Sequence, residues 1–220
     1  MCKGSTRGGS SGSRETERVK QIWEKGAPRY DRQIGFMEKV FFGDGREWVC
    51  SRASGEVLEV AIGTGRNLPF YPQGIRLTGI ELSPAMLRIA RTRAAELGMG
   101  GLDLREGDAN ELPFADGSFD TVVCTLGLCS IPDDRKAVSE MARVLRPGGR
   151  LLLLDHVRAA SGPVRAVQRA LEVVTLRFEG DHLLRRPLEH VAAEGFEIER
   201  RERYKGGMVE RISARKPARR

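Results

Sequence analysis

Three carboxylates stand where this chain passes from an apolar run into a loop. Glu59 interrupts the run VLEV in VLEVAIGTGRN (57–67), Glu81 closes LTGIE (77–81), and Asp108 opens DANELPF after a third short run. A carboxylate inside a strand that is covered on both faces costs several kcal/mol unless something compensates it, so Glu59 needs a partner. An acid at the tip of a strand beside a glycine turn, as Glu81 is, accepts the two hydroxyls of a ribose. Asp108, on the next loop, is placed to accept from an exocyclic amine. The turn AIGTGRN offers backbone N–H groups at the mouth of a following helix. Counted from Ala61, Arg66 occupies the last glycine position of a G-x-G-x-x-G fingerprint, which argues against a close pyrophosphate fit and against a nucleotide-dependent oxidoreductase. Acids repel phosphates and attract an ammonium or sulfonium.

The elements that must position these acids follow from periodicity. Strand-like runs fall at 56–62, 76–81, 102–106, 119–125 and 150–155, separated by helical stretches at 66–70, 84–98 and 133–145. Ser83-Pro84 starts a helix that Gly98 stops, and RPGGR (146–150) turns another helix into LLLLD. Alternation of this kind predicts an α/β fold with a doubly wound, mostly parallel seven-stranded sheet, and ligands beyond the carboxyl ends of its strands. Val19, Ile22 and Trp23, then Ile34, Met37 and Phe41, mark two or three helices ahead of the sheet. FEIERRERY and MVERISARK, about a KGG turn, predict an antiparallel C-terminal hairpin at one sheet edge. Val164, Val167, Leu171, Val174 and Phe178 give residues 163–178 an apolar helical stripe. That helix is expected either to close an apolar acceptor pocket or to cover a sheet face. A strand-end crevice with three acids and no pyrophosphate loop suits a ligand with a ribose, an adenine and a cation, a description that S-adenosylmethionine meets.

The strings LEVAIGTGRN, GIELSPAML, GDANELPFADGSFDTVVC and EMARVLRPGGRLLLLDH resemble, in order and spacing, the motifs of class I S-adenosylmethionine-dependent methyltransferases, in the group of the ubiquinone and menaquinone C-methyltransferases. The resemblance runs from about Tyr30 to His156. GTGRNLPFYP and VVCTLGLCS are most similar to a branch containing bacterial phospholipid N-methyltransferase-like and animal thiol methyltransferase-like proteins. The resemblance assigns Gly63 and Gly65 to the turn under the methionine moiety, Glu81 to the ribose and Asp108 with Ala109 to adenine. It places Met86 on the purine, and Glu59 at the methionine end, through its amino group or the glycine-loop backbone; a purely structural carboxylate is the other reading of Glu59. Ala61, Asn67, Leu82 and Thr125 join the expected cofactor contacts. Tyr30 either lies over the cofactor or simply packs in the core.

Methyl transfer asks the protein chiefly for position, desolvation and sometimes a base. The loop CTLGLCSIPD after the fourth strand is expected to border the methyl group. It lacks the Asn/Asp-Pro-Pro-aromatic motif of methyltransferases acting on adenine or glutamine amines, and Cys129 and Ser130 replace a His-His pair of many relatives. His156, at the end of the fifth strand, and His182, after the amphipathic helix, are the catalytic candidates, each against a structural reading; His190 reads as structural. No metal-ligand spacing is present, and the four cysteines read as free thiols of a cytoplasmic protein. The expected acceptor is small and largely apolar, methylated at sulfur, oxygen, nitrogen or carbon.

Residues 1–13 read as a disordered arm, 14–215 as one methyltransferase domain, and 216–220 as a basic tail. Within the domain, 14–50 are N-terminal helices, 51–156 the cofactor-binding core, 157–195 substrate-side helices and 196–215 the hairpin. No run spans a bilayer, and peripheral membrane contact stays open. The net charge of +7 (37 basic minus 30 acidic) is concentrated mainly in RKPARR. Without aromatic-basic interleaving it reads as a solvated surface rather than a nucleic-acid site. The competing function is a cofactor-binding module that docks on nucleic acid or protein through that tail.

Overall fold

The computed structural model describes residues 10–178 and 180–218. A seven-stranded sheet forms its centre, in the order β3-β2-β1-β4-β5-β7-β6. The strands are β1 (Glu56–Val60), β2 (Arg76–Glu81), β3 (Asp103–Glu106), β4 (Phe119–Thr125), β5 (Leu145–His156), β6 (Glu197–Tyr204) and β7 (Val209–Arg215). Neighbours among β1 to β5 are parallel; β7 runs antiparallel between β5 and β6, so the hairpin closes one edge as its turn predicts. β1 has β2 on one side and β4 on the other. The chain order reverses there, and the crevice beyond the ends of β1 and β4 is the natural ligand position.

Both sheet faces are covered, which is why the central strands are continuous apolar runs. On one face Leu58, Val122 and Leu151 pack with Val138 and Met141 of α4 (Asp134–Val144) and Val191 of α6 (Pro187–Ala193). On the other, Val57 and Leu152 meet Trp48 of α2 (Gly45–Cys50) and Leu87 and Ala90 of α3 (Pro84–Glu96). Local chemistry fixes the helix starts. Ser83 caps α3, accepting from the Met86 amide at 3.3 Å, and Asp133 caps α4, accepting from the Lys136 amide at 2.9 Å.

Two helices joined by a π-turn precede the sheet, within the two or three expected. One helix, α1 (Ser10–Met37), contains Pro28 and runs into a π-turn (Glu38–Phe42) before α2. It starts inside the span 1–13 expected to be disordered; residues 1–9 lie outside the described residues. Ala27 of α1, with Trp23 and Tyr30, packs on Ala85 and Met86. Glu24 Oε2 accepts from the Ser83 hydroxyl at 2.7 Å and the Ala85 amide at 2.8 Å, fastening α1 to the first turn of α3.

The helix α5 (Gly162–Phe178) corrects another expectation. Its stripe neither lids an apolar pocket nor covers the sheet: Val167, Leu171, Val174 and Phe178 are exposed, and Gln168 is the residue it buries. A period of 3.6 shows that a helix has an apolar face, but not which way that face turns.

Because Glu24 ties α1 to α3 by two hydrogen bonds, Glu24→Ala is expected to raise amide hydrogen exchange in α1 several-fold while shifting the thermal midpoint by about a few degrees at most. Unchanged exchange in α1 would show that apolar packing alone holds the helix.

Candidate active site

A solvent-open cleft of about 790 Å³ lies beyond the carboxyl ends of β1, β2 and β4, beneath α1. Of the expected cofactor contacts, Tyr30, Ala61, Gly63, Glu81, Leu82, Met86, Asp108, Ala109 and Thr125 line it. Val19, Trp23, Arg46, Thr64 and Arg66 also line it, together with Ser130, Ile131 and Pro132; none of these carried a cofactor assignment in the sequence. Ala61 and Leu126, at the ends of β1 and β4, hold φ of +56° and +53°. Such backbone is strained for residues with a Cβ, and here it turns both strand ends along the cleft wall.

Glu81 organises one end of the cleft. Its Oε2 accepts the Gly63 amide at 3.0 Å and its Oε1 the Ser83 amide at 2.8 Å, joining the glycine turn to the start of α3. Each oxygen keeps lone-pair capacity for a further donor. Burial pushes this carboxyl above its ordinary range, against the backbone N–H groups of Ser83, Gly63 and Leu82. Above Gly63 (φ +58°) the space is open: a Cβ there would meet nothing nearer than the Ala61 carbonyl at 4.0 Å. Asp108 accepts from the Asn110 amide at 2.8 Å and, more weakly, from the Thr16 hydroxyl of α1 at 3.4 Å. Gly65 is different from Gly63. It does not line the cleft, and its missing Cβ makes room for Leu68 and Ala90, at 3.0 and 3.3 Å.

Glu59 also departs from expectation. It is buried under the cleft, and its partners are side chains rather than the glycine-loop backbone. Asn67 donates to Oε1 at 2.8 Å and the Tyr71 hydroxyl to Oε2 at 2.8 Å. Asn67 also donates to Thr125 Oγ1 at 2.8 Å and accepts from Arg46 at 2.8 Å; Arg46 reaches Thr125 Oγ1 at 3.0 Å and Glu38 Oε1 at 2.6 Å. Arg66 pairs with the same Glu38. Asn67 thus sits inside this network and off the cleft surface, while Thr125 and the two arginines carry it to the wall. Burial raises the Glu59 carboxyl to about 7, opposed by the Tyr71 hydrogen bond and the Arg46 charge.

The two candidate histidines stand off the cleft lining. Cys129 precedes the lining residue Ser130, and the His182 amide donates to the Cys129 carbonyl at 2.9 Å. A ring nitrogen of His156, the Cys129 sulfur and an Asp181 carboxylate oxygen lie within 4.8 Å of one another, and His156 Nδ1 is buried without a hydrogen-bond partner. Asp155 fixes the backbone here, accepting from the His156 amide at 2.8 Å and the Cys129 amide at 3.2 Å. Burial, then the Asp155 charge, pushes the Cys129 thiol well above its ordinary range, so it stays a thiol and a poor nucleophile. Burial, then Arg185, lowers the His182 imidazole below its usual value. Asp181 had no signal in the sequence, since only the fold brings it to Cys129 and His156. His190 pairs with Asp134 at 3.3 Å across α6 and α4.

The raised Glu59 carboxyl fixes the sign of a pH effect. Its folded pKa lies above its unfolded one, so its stabilisation is complete below about 4.5 and is lost as pH rises through about 7. Lowering pH from 8 to 5 is therefore expected to move the unfolding free-energy difference between wild type and Glu59→Gln toward wild type, by roughly 3 kcal/mol at most. A difference that is flat with pH, measured by denaturant titration, would mean that Glu59 stays ionised.

Known proteins bear on the family and the fold. Residues 58–153 match the family described as a methyltransferase domain. Over 118 residues the chain is 44% identical to a phosphatidylethanolamine N-methyltransferase of Cereibacter sphaeroides, a match covering 53% of this chain and 58% of that protein. Over 174 residues it is 32% identical to a demethylmenaquinone methyltransferase of Renibacterium salmoninarum, covering 73% of this chain and 70% of that one. In fold, the crystal structure of the [4+2]-cyclase SpnF superimposes with a TM-score of 0.75 at 20% identity, covering 93% of this chain and 97% of that one. The glycine turn, the acid at the tip of β2, the strand order and these relatives converge: the chain belongs to the class I S-adenosylmethionine-dependent methyltransferases.

Proposed function

We propose that the chain transfers the methyl group of S-adenosylmethionine to a small, largely apolar acceptor, at sulfur, oxygen, nitrogen or carbon. The observation that carries this reading is the cleft itself, where Glu81 and Asp108 flank the open space above Gly63 and Leu82, Met86 and Ala109 supply apolar walls. The donor set fits the cofactor: Glu81 would hold the ribose hydroxyls, Asp108 with Ala109 the adenine edge, and Met86 the purine face. Gly63 and Ala61 would lie beneath the methionine moiety, with Thr125 and Arg46 on its far side and Tyr30 and Trp23 above. Glu59 and Asn67 would act from beneath, by holding Arg46 and Thr125 in place, and Gly65 by letting α3 pack close.

When bound, the cofactor supplies a methyl carbon already activated by its sulfonium. The chain's own work is then to exclude water, which α1 does from above, and to place the acceptor in line with that carbon. We place the acceptor against the wall of residues 126–132, whose far side carries Cys129, His156 and His182. An acceptor that must lose a proton passes it there to His156, which keeps a nitrogen without a partner.

Three buried cysteines outside any disulfide support a reducing cytoplasmic setting. No helix among the described residues is long and apolar enough to cross a membrane. The docking alternative finds little support in the tail, since Arg215 binds Glu199 and Lys216 binds the Ala142 and Leu145 carbonyls. Arg219 and Arg220 lie outside the described residues.

Calorimetric titration with S-adenosylhomocysteine is expected to show micromolar binding that falls at least about a hundredfold in Glu81→Ala, which loses both ribose hydrogen bonds. Equal binding by the variant would remove Glu81 from the site. For acceptors that release a proton, His156→Ala is expected to lower kcat by about 10²-fold or more without changing cofactor affinity. An unchanged kcat would move the acceptor away from His156.

A further inference from the structure

The helix α5 is turned inside out relative to an ordinary surface helix. Three of its polar side chains, Gln168, Glu172 and Thr175, face the protein. Gln168 accepts from the Ala159 amide at 2.8 Å and donates to the Val157 carbonyl at 3.0 Å, Glu172 accepts from the Leu184 amide at 3.2 Å, and Thr175 donates to the Asp181 carbonyl at 2.8 Å. Its apolar side faces outward, with Val167, Leu171, Val173, Val174 and Phe178 exposed at between 52% and 72%. Rolling the helix to hide that face would break the bonds of Gln168, Glu172 and Thr175, so the outward stripe is built in rather than left by loose packing.

We propose that α5 is a docking surface for an anionic phospholipid bilayer, lying in the interface with its apolar stripe among the acyl chains. Seventeen residues of helix present a stripe about 25 Å long, the form of an interfacial helix. Arg177 and, further round the exposed side, Arg169 lie on this helix in solvent, while Arg165 donates to the Ala159 and Ala160 carbonyls; among the described residues no carboxylate pairs with any of the three. Cationic side chains beside an apolar stripe complement anionic headgroups. A second copy stacked on the same face would bring like arginines together across the dyad. The inference goes beyond the proposed reaction and does not depend on it; it adds a route by which an apolar acceptor stored in a bilayer reaches the protein.

The test is sedimentation of the full chain with vesicles of phosphatidylcholine and phosphatidylglycerol, against phosphatidylcholine alone. Wild type is expected to bind the mixed vesicles, less tightly as salt rises. The exposed-site variant Val167→Ser/Leu171→Ser/Val174→Ser is expected to lose roughly tenfold or more in affinity. Arg169→Glu/Arg177→Glu is expected to lose the preference for the anionic lipid. Both variants should keep wild-type affinity for S-adenosylhomocysteine, which reports on the fold and the cleft separately from docking. The proposal is overturned if wild type ignores both kinds of vesicle, or if the triple serine variant binds as wild type does. It is equally overturned if, without lipid, wild type dimerises and the triple variant is monomeric, for then the face belongs to a second copy.

Discussion

A buried carboxylate in the central strand is the constraint around which the cleft is arranged. Among the described residues Glu59 has no cation in direct contact, and its desolvation is offset by hydrogen bonds from Asn67 and Tyr71 and, one step further, by Arg46. Each partner comes from a different element: the turn after β1, the segment before β2, and α2. Thr125, at the end of β4, receives hydrogen bonds from both Asn67 and Arg46. One carboxylate thus sets the relative positions of the two strand ends that form the cleft wall, and of the arginine that stands on it. Satisfied networks of this kind hold their members in one geometry because every alternative leaves a buried polar group unpaired.

Glu81 completes the frame at the other end by joining the glycine turn to the start of α3. The helix α1 is then laid over the result with polar fastenings at several points, Glu24 to α3 and Asp31 to the Thr64 hydroxyl among them. Between these fastenings Trp23, Ala27 and Tyr30 pack on Ala85 and Met86. Methyl transfer requires little more of the protein than such placement and the exclusion of water, which is why the same fold hosts a cyclase as well as methyltransferases.

Much of this was legible in the sequence, and the failures have physical causes. Strand positions, the α3 and α4 boundaries and the C-terminal hairpin announce themselves through apolar runs and through Ser-Pro and Gly signals, all local. Glu81 and Asp108 were legible as chemistry because their distance from a strand end fixes their place. Arg46, Glu38 and Trp23 were not, since the N-terminal helices reach the cleft by tertiary packing that no spacing encodes. The partners of Glu59 were missed for a similar reason: Asn67 and Tyr71 come to it by the path of a loop. Gly65 looks like a ligand-turn glycine but serves packing against α3, a distinction carried by φ and neighbours rather than by residue type. The spacing of α5 identifies a helix with an apolar stripe but not the direction in which the stripe turns, because Gln168 and Thr175 take backbone partners beneath it.

The central claim is that the cleft above Gly63 is the cofactor site, and crystallography of the chain with S-adenosylhomocysteine tests it most directly. The account predicts density over Gly63, with the ribose hydroxyls on Glu81 and the adenine between Met86 and Asp108. Density elsewhere, or a ribose held by other side chains, would contradict it.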